Sequence, residues 1–190
     1  MSREKILNDI KTYTPVNEQE ERDKKVIMEF IAENDDAFLR SNEVAHITAS
    51  SWIVNHNRTK VLLAYHRIYD SWTWTGGHAD GDTDLLAVAL REAKEETGIK
   101  NVFPVSENIY SLETLTVDGH EKRGKYVPSH LHMNVTYLLE ADEKDALSVK
   151  EDENKGVGWF PIEEVYNAST EPWFNERIFR KLNSNLAKYR

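Results

Sequence analysis

Gly76-Gly77-His78-Ala79-Asp80-Gly81-Asp82-Thr83-Asp84-Leu85-Leu86-Ala87-Val88-Ala89-Leu90-Arg91-Glu92-Ala93-Lys94-Glu95-Glu96-Thr97-Gly98-Ile99 is the stretch on which the fold turns. A glycine turn runs into a short amphipathic segment that opens near Asp82, Thr83 and Asp84, each an acceptable helix N-cap. Leu86, Ala89, Leu90 and Ala93 recur at helical spacing and are predicted to form its buried stripe. Gly98 is placed to end the helix in a left-handed conformation. Side chains at i, i+3 and i+4 share a helix face, so Glu92, Glu95 and Glu96 are predicted to project together from an exposed surface beside Arg91. Three crowded carboxylates repel one another unless a divalent cation sits among them. Hard cations such as Mg²⁺ take oxygen ligands and usually bring substrate phosphates with them.

On either side of this helix the pattern alternates as strands do. Ala45–Val54 and Lys60–His66 read as a strand pair joined by the turn Asn55-His56-Asn57-Arg58. Downstream, Val102–Val105 and Ile109–Val117 read as strands, Asp118–Lys125 as a charged turn and Glu140–Lys155 as an acidic loop. His130–Leu139 alternates, with Leu131, Met133, Val135 and Tyr137 on one side and His130, His132, Asn134 and Thr136 on the other. A short strand through Trp159 leads to a helix near Ile162. Phe174–Lys188 closes the chain as a helix with Ile178, Phe179, Leu182 and Leu186 on one face. Residues 1–40 differ in character. Ile6, Leu7 and Ile10 define a first helix, Pro15 interrupts, and Val26, Ile27, Phe30 and Ile31 define a second that ends near Ala37-Phe38-Leu39. The division expected is a helical extension over 1–40 and a domain over 41–190, with mixed strands and helices on both sides in an α/β (α+β) sandwich.

Bulk properties bound the function. The 190 residues suffice for one domain with a core, and 39% hydrophobic with 30% charged residues fits a soluble globular protein. A net charge of −9 argues against nucleic-acid binding through a basic surface. The chain has no cysteine, which excludes a disulfide framework, a thiol nucleophile and a Cys-ligated zinc site, and suits the cytoplasm. The start is charged without an apolar secretion segment, and no apolar run approaches the ~20 residues that span a bilayer.

The central stretch resembles the Nudix box, G-x5-E-x7-R-E-U-x-E-E-x-G-U, where U is aliphatic. Gly77, Arg91-Glu92, Ala93, Glu95-Glu96, Gly98 and Ile99 match, and Thr83 stands at the first glutamate position. Trp74-Thr75-Gly76-Gly77 is similar to the family's W-x-P-G-G lead-in, with threonine for proline. Glu153 and Val157–Glu164 are similar to its terminal acidic loop and Trp-Phe segment, so the likeness covers about residues 43–170. The resemblance implies a Nudix-type α/β/α sandwich with a mixed β-sheet. It implies a Mg²⁺- or Mn²⁺-dependent hydrolase that cleaves the diphosphate linkage of a small molecule by substitution of water at phosphorus. It also implies Glu92, Glu95 and Glu96 as metal ligands, with the Gly76 carbonyl as a further one. Glu92 or Glu153 acts as base, and Arg91 pairs with a carboxylate of the box to fix its rotamer. Glu140, Asp142, Glu151 and Asp152 compete with Glu153 for its role. Threonine at position 83 supplies no charge, and Asp80 and Asp82 are the nearby carboxylates able to replace it. Dimers are common in the family, so a homodimer is compatible with the resemblance.

Other residues admit two readings each. His78 sits at the pocket mouth in a structural or a substrate role. His130 and His132 contact a phosphate, or make ordinary hydrogen bonds on an open sheet face. An H-x-H pair also suits Zn²⁺, but the sequence suggests no third His or Cys ligand. Trp74, Trp72 and Tyr65 stack on a base or sugar, or belong to the core. Two other functions share the fold. A non-catalytic ligand sensor lacks here an appended DNA-binding segment, and an isopentenyl-diphosphate isomerase-like enzyme lacks the cysteine on which the common form depends.

Overall fold

A computed structural model describes residues 2–122 and 124–189. Its centre is a pair of parallel strands, β1 (Ala45–Asn55) and β9 (His130–Ala141), in register from Ala45↔Leu131 to Asn55↔Ala141. Every other strand pairs antiparallel. The far half of β1 takes β2 (Lys60–His66), and the near half takes β4 (Thr75–His78). β2 in turn pairs with β3 (Ser71–Thr73) and β10 (Asn154–Pro161). On the other flank β9 carries β5 (Val102–Pro104) and β6 (Ser111–Val117). The segment expected to be a charged turn holds a small hairpin, β7 (His120–Lys122) with β8 (Lys125–Val127).

All of β1 is buried because both faces of the sheet are covered. Odd-numbered residues of β1 and β9, including Ile47, Ala49, Ile53, Met133, Val135 and Tyr137, face one hydrophobic cluster. That cluster also contains α3 (Leu85–Thr97), α1 (Arg3–Thr12) and α2 (Glu18–Glu33), the last two through Ile6, Ile10, Ile27 and Ile31. Trp52, Val54 and Leu138 face the opposite way, against α4 (Val165–Ala168) and the C-terminal helices through Val165, Ile178, Phe179, Leu182 and Leu186. The arrangement is an α/β/α sandwich with a mixed sheet and an added N-terminal helical segment.

Three local expectations need correction. α2 ends at Glu33, not near Leu39, because the Asn34 side chain and amide both turn back to the Phe30 carbonyl. The C-terminal helix is unbroken but not uniformly α: α5 (Pro172–Phe174) passes into a π-helical turn over Asn175–Phe179 and then α6 (Arg180–Leu186). The extra residue of that turn keeps both Ile178 and Phe179 buried. The buried stripe of α3 is Leu85, Val88, Ala89, Ala93 and Glu96, while Leu86 and Leu90 are only partly covered. That rotation carries Glu96 inward.

The N-terminal segment is tied down by a buried charge cluster. Lys181 of α6 donates to Glu113 of β6 at 2.9 Å and to the Leu112 carbonyl at 3.0 Å, and sits 3.1 Å from Glu20 of α2. Glu20 also accepts from the Tyr13 hydroxyl at 2.7 Å and the Val16 amide at 2.9 Å. Burial opposes the charge on Glu20, but Lys181 and these donors outweigh it and hold the carboxyl below its usual range. Removing one member of a buried ion group leaves the others uncompensated. Lys181→Met is therefore expected to lower stability by about 3–5 kcal/mol in urea unfolding. A loss within the range of a surface pair, about 1 kcal/mol or less, would show that the cluster contributes little.

Candidate active site

The glycine turn and α3 meet where sequence reading placed the site. Asp84 is the N-cap, accepting from the Ala87 amide at 3.1 Å, and Gly98 ends the helix at φ +70°. A Cβ at Gly98 would also stand 2.8 Å from the Ser148 amide nitrogen. At Gly77 a Cβ would meet Glu92 Cγ at 2.8 Å, so only glycine lets the Glu92 side chain lie against β4. Asp80 does not replace the charge absent at Thr83, because both its oxygens pair with Arg40 at 2.6 and 2.7 Å. Asp82 accepts the Asp84 amide at 2.8 Å and lies 3.8 Å from Arg91.

Glu92, Glu95, Glu96 and Glu153 come together. Glu96 is not on an exposed face as expected but 4% exposed. One of its oxygens accepts the Gly76 amide at 2.8 Å and the other accepts Asn154 Nδ2 at 3.1 Å. Burial, then Glu92 and Glu153, push its carboxyl up from 4.5 to about 7 despite those two donors. Glu92 is also raised, by burial first and Glu95 next. Glu95 is half-exposed, and Lys150 bridges it at 3.5 Å to Glu153 at 3.0 Å. Burial works against the ammonium of Lys150, but Glu153, Glu92 and Glu95 overcome this and raise its pKa. Arg91 lies 3.7 Å from Glu92, so it holds that rotamer loosely. Among the competitors for Glu153, Glu140 is tied to His56 and Arg58. Lys150 and Asn154 escaped the sequence reading, because their role depends on how the acidic loop folds back toward α3.

The remaining sequence candidates lie elsewhere. Trp74 packs edge-on against Phe174 in the second cluster and is 7% exposed. His78, His130 and His132 do not lie on an open face. They gather with His46, a residue the sequence analysis did not single out, at ring separations of 4.9–5.0 Å. Burial first, then the neighbouring rings, lowers His78 to about 3 and His132 to about 2. The polar stripe continues through Asn134, whose oxygen accepts from Thr48 at 2.9 Å and Ser50 at 2.8 Å and whose nitrogen donates to Glu113 at 2.9 Å.

Residues 44–182, which include the glycine turn, α3 and the acidic loop, match the NUDIX domain family. The chain belongs to it, and so to enzymes that hydrolyse diphosphate linkages. Two solved structures share the fold. An Ap4A hydrolase of C. elegans superposes with a TM-score of 0.54 at 23% identity, covering 75% of this chain and 98% of that one. A NUDIX family hydrolase of Clostridium perfringens gives 0.51 at 23% identity, covering 73% and 97%. No curated protein sequence matches significantly. Among the described residues no helix is long and apolar enough to cross a membrane.

The raised Glu96 has a stability consequence in metal-free protein. Its folded pKa lies above the ordinary 4.5, so the fold favours the protonated form. That contribution is present below pH 4.5 and is lost as pH rises through about 7. Melting of chelated wild type is expected to fall over this interval relative to Glu96→Gln. Parallel pH profiles for the two proteins would refute the shift.

Proposed function

We propose that the chain is a Mg²⁺- or Mn²⁺-dependent hydrolase of a small diphosphate compound, a nucleoside diphosphate derivative being the first class to consider. The observation that carries this reading is the placing of Glu92 and Glu96 of α3 against Gly77 and Gly76 of the glycine turn, with Lys150 joining Glu95 to Glu153 beside them. All four carboxylates are hard oxygen donors, which fit Mg²⁺ or Mn²⁺ better than a soft metal. A divalent ion held by these residues would supply positive charge for the phosphoryl oxygens and a lowered pKa for the attacking water.

The residues divide the work. Glu95 and Glu96 of the helix and the Gly76 carbonyl of β4 are the groups that would hold the ion. Glu92, half-buried against Gly77, takes the proton of the attacking water, and its raised pKa brings it nearer the working range of a general base. Glu153 adds charge from the acidic loop, with Lys150 orienting it. Arg91 lies between Glu92 and Asp82 and offsets part of their charge.

Hydrolysis of a panel with Mg²⁺ or Mn²⁺ tests the reading. The panel spans nucleoside triphosphates, ADP-ribose, sugar nucleotides, dinucleotide cofactors and prenyl diphosphates, and includes Ap4A because a solved structural relative carries that name. Glu92→Gln and Glu96→Gln are expected to lower kcat by at least about 10²-fold on whichever class turns over. Glu92→Gln is the cleaner blank, since Glu96 also joins α3 to β4 and β10. Unchanged turnover in both variants would overturn the site. Silence across the panel with metal binding intact would favour the sensor reading.

A further inference from the structure

We propose that His46, His130 and His132 form a transition-metal site for an ion of the Zn²⁺ class, bound through their Nε2 nitrogens and separate from the glutamate cluster.

The sheet itself assembles the ligands. His46 of β1 and His132 of β9 are directly paired across the parallel strands, and His130 lies on the same face two residues before His132. One ring nitrogen from each of the three lies within 4.8 Å of the others. The second nitrogens of two of them are already committed. His46 Nδ1 donates to the Asn42 carbonyl at 3.1 Å, and His130 Nδ1 donates to the Pro128 carbonyl at 2.8 Å. Backbone carbonyls fix metal-binding imidazoles in this way, setting the tautomer so that the Nε2 lone pair points inward.

Two further observations favour a shared cation. His46 is 5% exposed, and its buried Nε2 has no hydrogen-bond partner among the described residues. Buried polar atoms are rarely left so. His130 Nε2 and His132 Nε2 stand 3.2 Å apart. Tetrahedral zinc with Zn–N of about 2.0–2.1 Å places its ligands about 3.3–3.4 Å apart, so this pair is spaced as one edge of the tetrahedron. A hydrogen bond between those two rings would account for the pair alone and leave His46 Nε2 unanswered. An all-imidazole donor set suits Zn²⁺, Co²⁺, Ni²⁺ or Cu²⁺, whereas Mg²⁺ takes carboxylates, carbonyls and water. Three histidines leave a fourth position open. His78 flanks it, with its ring centre 5.0 Å from those of His46 and His132.

The test uses full-length protein stripped with a chelator, incubated with equimolar Zn²⁺ or Co²⁺ and desalted. Elemental analysis is expected to find about one equivalent retained by wild type and by a Glu92→Gln/Glu95→Gln variant. His46→Ala and His130→Ala should bind at least about tenfold more weakly, the minimum seen even for outer-shell changes. Circular dichroism of each metal-free variant checks its fold. The Co²⁺ form of wild type needs no variant: a strong visible band is expected from a four-coordinate nitrogen site. The proposal is overturned if wild type retains no metal or if the Co²⁺ spectrum is the weak one of six oxygen ligands. It is equally overturned if well-folded histidine variants bind as wild type does, or if retention is lost with the glutamates.

Discussion

The parallel pairing of β1 with β9 is the constraint on which the rest depends. Its register runs the full length of β1, which is buried on both faces, as is β9 from Met133 to Leu139. Because side chains alternate along a strand, a shift of one residue would exchange every contact between the two layers of helices. Ile47, Ala49, Met133 and Val135 would leave the α3 side, and His46, Thr48, His132 and Asn134 would take their place in an apolar cluster. The large aliphatic burial on one face thus fixes where the polar groups on the other face must stand.

From that pair the two chemically distinct regions follow. β4 hydrogen-bonds to the near half of β1, and its residues alternate between the faces as β1 does. Gly77 faces α3 and makes room for Glu92. His78 faces the opposite side, among the imidazoles. Hard carboxylates therefore collect on the α3 side of one short strand and imidazole nitrogens on the other. The two donor sets differ in the cations they suit, and the sheet between them keeps them apart.

Legibility followed the range of the interactions. The end of α3 was readable to the residue at Gly98, and its start only to the three candidates Asp82, Thr83 and Asp84, because capping and the left-handed glycine are local events. The alternation of His130–Leu139 was readable for the same reason, since period two needs no knowledge of partners. The orientation of α3 was not: Leu85 and Val88 are buried and Leu86 and Leu90 only partly, because the sheet selects among overlapping apolar stripes. The burial of Glu96 follows from that selection, and with it the raised pKa.

The sequence by itself determined the family, the glycine turn, the helix and the set of glutamates, since each is written in short-range spacing. Only the tertiary structure decided which groups share a site. Asn154 reaches Glu96, and Lys150 joins Glu95 to Glu153, through a loop whose course no periodicity records. His46 meets His132 because strands distant in sequence pair in parallel, and Glu20 meets Lys181 because the first and last helical segments converge beside β6. Long-range pairing is set by burial summed over the whole sheet, and no local stretch of sequence contains that sum.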